Sequence, residues 1–154
     1  MMVRDLFIFI LIQLAFAAYA HAEAYMEGKD GWKWNSKWWH IPLGGGFTYT
    51  AYHVYFYAIT LPILIFGVPI VLMGFDWHLI RVLVFSFCIG SNLGDFLWFV
   101  VNPDYSLKKW NPRDTRWYPW VSIGKWSIPR AYLIRFLIAA ITLPFILQGW
   151  QFRI

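Results

Sequence analysis

LIRVLVFSFCIGSNLGDFLWFVV, running from Leu79 to Val101, carries only two charged side chains, Arg81 and Asp95. About 20 mostly apolar residues suffice for a helix to cross a bilayer, so the stretch predicts a membrane span. On a helix, Cys88, Ser91, Asn92, Asp95 and Asn102 fall in one stripe. Gly90 and Gly94 form a G-x-x-x-G beside it, with Ser86 one turn earlier. Small residues at that spacing let a second helix approach closely, and they predict a helix-packing face. Lipid rejects the polar stripe, which must therefore face protein or a water-filled cavity.

The rest of the chain agrees with a lipid setting. Of its 154 residues only 14% are charged, against about 25% in a usual soluble domain. Aromatic residues make up 22%, and Trp and Tyr favour the membrane–water boundary. Further spans are expected near 48–75 and 129–150. In the first of these, Pro62 and Pro69 lie on one helix face and should kink or break it. Gly74 to His78 is a tight turn that makes a helical hairpin of the two neighbouring spans, with Asp76 and His78 solvated there. The last span carries Arg135 inside and Pro144 near its far end.

The N-terminus sets the number of spans. Arg4 is a minimal basic start, Leu6 to Ala20 is apolar except for Gln13, and Ala20-His21-Ala22 is an A-x-A signature. Residues 1–22 thus read as a signal peptide cleaved after Ala22, leaving 23–154 as one membrane domain. The competing reading is an uncleaved first span. The expected fold is all-α: a polytopic helical membrane protein with three transmembrane helices, or four if the first segment stays, and Trp-rich interfacial loops. It belongs in a cell membrane, plasma or inner.

Two loops hold most of the positive charge. In 23–46, Trp32, Trp34, Trp38, Trp39 and His40 interleave with Lys29, Lys33 and Lys37, followed by a flexible Gly44-Gly45-Gly46. Such a pattern can stack on single-stranded nucleic acid, but beside a span it fits the headgroup layer better. Anionic lipid headgroups are the expected partner, and nucleic acid is not. The loop 102–129 has four prolines, and Asn111-Pro112-Arg113-Asp114 predicts one short capped turn. A cleaved signal peptide would place both loops outside. The positive-inside rule would place them in the cytoplasm, since Lys108, Lys109, Arg113, Arg116, Lys125 and Arg130 face only Arg81 and Arg153 opposite. Both readings keep the two loops on one side.

That side gathers the candidates for chemistry. Counted along each helix at about 1.5 Å per residue, His53, Asp95 and Arg135 sit one to two turns below the same interface. Charges inside spans are costly and mark sites by default. The plain expectation is an Asp95–Arg135 ion pair, with Ala131, Ala139 and Thr142 on the Arg135 face packing beside Gly90 and Gly94. The sharper one is a metal or proton site from His53 and Asp95, with His40 added from the loop. Ser91 and Asn92 share the polar face. Ser86 and Ser91 lack a nucleophile elbow, the lone Cys88 allows no intrachain disulfide, and no nucleotide or haem motif names a cofactor. The first functional expectation is a membrane subunit or scaffold that mates with itself or other membrane proteins through the small-residue face. The second is a small membrane enzyme or carrier acting on an anionic lipid or a metal.

Overall fold

A computed structural model describes residues 2–28, 39–44 and 47–151 of the chain. Among these, four helices are long and apolar enough to cross a membrane. Helix α1 runs from Met2 to Glu27 without a proline or glycine, so nothing interrupts its ladder. It passes straight through Ala20-His21-Ala22. It ends at Gly28, whose φ of 54° is the left-handed cap that glycine adopts without a Cβ penalty.

Strands β1 (His40–Gly44) and β2 (Phe47–Thr50) then pair antiparallel, and β3 (Trp120–Ile123) and β4 (Trp126–Pro129) form a second hairpin. The helical expectation holds in the main, with these two small sheets added to it. Thr48 belongs to a strand, and the second span begins only at His53. It runs to Met73 and is π-helical over His53–Thr60 and Ile63–Gly67 before closing as α2 (Val68–Met73). The prolines act here: each lacks the N–H that an α-helical ladder needs, and the chain answers with a widened helix around Pro62.

Asp76 caps helix α3 (Trp77–Val101) by accepting from the Leu79 N–H at 3.2 Å. Asn102 closes it, accepting from the Asp104 and Tyr105 N–H groups and donating to the Gly28 carbonyl at 2.9 Å. Helix α4 (Arg130–Gln151) starts directly from β4, with Pro144 inside it.

α3 is the central helix, packed on both α1 and α4. Gln13 donates to the Ser86 carbonyl at 3.0 Å, and His78 meets Asp5 at 2.7 Å. With Asn102 on Gly28, these contacts join residues 73 or 74 apart, so α1 and α3 run parallel in one register. α4 runs the other way, with Arg81 over the Phe145 ring at one end and Asn92 on the Tyr132 carbonyl nearer the other. The second span lies outside this trio. It touches α1 through Tyr19 with Phe56 and Tyr57, and α3 through Phe66 with Phe87. Apolar side chains such as Leu11, Leu14, Val71 and Leu72 point outward, as a lipid solvent requires.

The small-residue face of α3 receives α1. A Cβ on Gly90 would overlap the Phe16 ring, and one on Gly94 would meet that ring at 3.2 Å. The expected packing of α4 beside these glycines is therefore corrected. His78 is corrected as well: it is 5% exposed and bonded to Asp5, itself 2% exposed, rather than solvated in a turn. Of the first aromatic loop, Trp39 and His40 are described and exposed. Lys29, Trp32, Lys33, Trp34, Lys37, Trp38, Gly45, Gly46 and Arg153 lie outside the described residues.

Candidate functional site

The polar residues meet where α1 and α3 end on the loop side. Glu23 and Glu27 are one turn apart at the end of α1, so both carboxyls share a face. Asp95 stands on α3. With Trp98, Phe99, Trp117 and Tyr118 they line a chamber of about 30 Å³. By that measure about one or two waters fit. Trp98 and Phe99 belong to the buried aromatic cluster that includes Ala24 and Tyr105, and Trp117 and Tyr118 from the 102–119 loop pack against it.

The carboxylates differ in their partners. Asp95 accepts from Arg135 Nη1 at 2.7 Å, and the same nitrogen reaches Asn92 Oδ1 at 3.3 Å. Asn92 in turn donates to the Tyr132 carbonyl at 3.2 Å. The expected Asp95–Arg135 pair is thus present, and Asn92 belongs to it. Glu23 accepts from the Tyr52 hydroxyl at 2.7 Å and from Tyr57 at 3.5 Å, and Tyr19 joins the same set through the Tyr52 hydroxyl. Trp98, 5% exposed, lies near Glu27, yet its indole N–H has no well-formed hydrogen bond. Burial, and then the negative charge of Asp95, push the phenols of Tyr52 and Tyr118 well above their ordinary pKa, so both stay protonated as donors.

No known family model, curated protein or solved structure matches this chain. The chemistry of the site therefore rests on its own residues.

The other sequence candidates stand apart. His53 takes its Nδ1 to the Thr50 hydroxyl at 2.8 Å, among the rings of Tyr49, Tyr52 and Tyr57. His40 is exposed on β1, opposite Thr50. Ser86 and Ser91 turn their hydroxyls back to the Val82 and Phe87 carbonyls of their own helix. Among the described residues, no three His, Cys, Asp or Glu side chains come close enough to hold a metal ion, so His40, His53 and Asp95 do not form one site. Glu23 and Glu27 were missed by sequence reasoning because they follow the A-x-A signature. Their signal was available in the i, i+4 spacing, seen only when the helix is read on past Ala22.

Proposed function

We propose that the chain is a small membrane carrier that takes up a water-sized cation, or a proton in its place, in the chamber between α1 and α3. The observation behind this reading is a charge imbalance. Three carboxyls, Glu23, Glu27 and Asp95, line the chamber, and among the described residues only Arg135 pairs with any of them. Whenever its glutamates ionise, such a site attracts cations and disfavours an anionic lipid headgroup. Among the described residues the carboxylates do not cluster as direct metal ligands, so the guest is held through water, whose hydrogens the carboxyl oxygens accept.

The test is thermal unfolding of purified protein in detergent, at constant ionic strength, with choline as the reference cation. Sodium, potassium or calcium should raise the melting temperature in a saturable way, and Glu23→Gln with Glu27→Gln should abolish the rise. A proton guest would instead show as proton uptake, in unbuffered solution, that the same double variant removes. Absence of both effects would sink the reading.

The reading needs α1 to stay attached. Phe16 fills the Gly90–Gly94 face, Asp5 is buried against His78, and Glu23 lies in the chamber. A retained α1 with its N-terminus outside also removes the sidedness conflict, because the basic loops then lie in the cytoplasm as their charge demands. Intact mass of membrane-extracted protein should include residues 2–22, and a mass starting at Glu23 would refute retention.

The scaffold reading keeps one supporting observation: no residue of the His53–Met73 span is buried in the monomer. A detergent-solubilised mass of two or more protomers would favour self-assembly through that span.

A further inference from the structure

The β3–β4 hairpin has an unequal pair of faces. Its register sets Val121 opposite Ile128 and Ile123 opposite Trp126. Side chains alternate along a strand, so these four share one face, and all are apolar. The other face carries Ser122 and Ser127, whose hydroxyls meet at 2.8 Å, and Trp120, which donates to the Thr115 carbonyl at 2.8 Å. The polar face is thus tied to itself and to the loop, while the apolar face ends in Ile123, 71% exposed, and Trp126, 84% exposed. Gly124, with φ of 60°, and Lys125 make the turn between them.

A two-stranded ribbon is marginal in water and needs cover for an apolar face. Two features name the cover. The hairpin leads directly into α4, so its base lies at the membrane boundary. Lys108, Lys109, Arg113, Arg116, Lys125 and Arg130, in the same loop and at the start of α4, form no ion pair with an acidic group among the described residues, which leaves a basic rim complementary to anionic headgroups. Trp with Lys is the side-chain chemistry of that layer.

We infer that the apolar face of the β3–β4 hairpin, with Ile123 and Trp126 at its tip, lies in the anionic headgroup layer of the leaflet next to the loops. Lys125 at the turn reaches phosphate, and the ribbon braces the loop that supplies Trp117 and Tyr118. The inference is independent of what the chamber holds.

The test uses a Cys88→Ala background carrying one new cysteine at a time, Ile123→Cys, Trp126→Cys or Ser122→Cys, labelled with an environment-sensitive fluorophore. The protein is placed in phosphatidylglycerol-containing vesicles doped with headgroup-nitroxide lipid. Labels at 123 and 126 should be quenched at least about twofold more than the label at 122, which should respond to aqueous iodide instead. Trp126→Phe, which keeps an aromatic ring, should lower the share of tryptophan emission quenched by brominated lipid. Equal iodide access at all three positions would overturn the inference. So would protection that appears only at high protein-to-lipid ratio, since that assigns the face to a second copy.

Discussion

Arg135 reaches across from α4 and places one nitrogen on both Asp95 and Asn92 of α3, at 2.7 and 3.3 Å. With the Asn92 amide on the Tyr132 carbonyl, it ties the two helices through polar groups near the chamber. Removing one member of a fully buried pair costs about 3–5 kcal/mol, because the survivor keeps its charge without a counter-ion, and this part-buried pair should lose less than that. Asp95→Asn and Arg135→Gln should each melt well below the parent protein. The neutral double variant should recover much of the loss. Strictly additive losses in the four melting temperatures would show that the pair contributes no coupling.

Phe16 packs directly on Gly90 in the α1–α3 seam. A methyl at position 90 forces the ring to move, and overpacking of this kind costs about 1–3 kcal/mol. Gly90→Ala should therefore destabilise more than Gly94→Ala, where the added carbon sits at 3.2 Å and a small shift suffices. Phe16→Ala should restore part of what Gly90→Ala loses. Equal melting of all these proteins would place the glycines away from α1.

What the sequence revealed, and what it hid, follows from the range of each interaction. Asp95 and Arg135 were found by counting turns from the interface, because a charge in lipid is rare enough to demand a partner. The glycine face was found, but not its mate, since G-x-x-x-G specifies close approach without naming which helix approaches. Asp5 with His78 was hidden by distance: the two are 73 residues apart, and each had a sufficient local role as part of a basic start or a turn. The β3–β4 hairpin is harder to see, although Val121-Ser122-Ile123 and Trp126-Ser127-Ile128 alternate around Gly124-Lys125, a period-2 pattern. Pro119 and Pro129 flank that pattern and give the segment the composition of an irregular loop.

Asp5 and His78 make a second tie, at the end of the bundle away from the chamber. Asp5→Ala leaves the buried His78 ring without its hydrogen-bond partner, and should cost about 1–3 kcal/mol. Replacing both by apolar residues, Asp5→Leu with His78→Phe, should be close to neutral, because a buried pair adds less than its rupture removes. Urea or thermal unfolding in one detergent measures this. A double variant as unstable as Asp5→Ala would mean that the pair does more than fill space.

Tyr118 yields a prediction in alkali. Its phenol is pushed up in the folded protein, so above the ordinary phenol value of about 10 the unfolded chain loses a proton that the folded one keeps. Stability is then retained below that pH and falls as pH climbs beyond it. Tyr118→Phe should flatten the fall in melting temperature across that range, while an unchanged slope would exclude Tyr118 as its source.

Asp5 and Glu23 mark the two polar poles of α1, eighteen residues apart. At about 1.5 Å of rise the poles are separated by about 27 Å, close to the hydrocarbon thickness of an ordinary bilayer, about 30 Å. Both poles are bonded to other helices, Asp5 to α3 and Glu23 to the tyrosines at the start of the second span. α1 cannot slide along its axis without breaking one of them. The molecule is thus a ruler of fixed length. A thicker membrane must thin around it or draw its carboxyls into oil, and each ångström of mismatch adds a fraction of a kcal/mol.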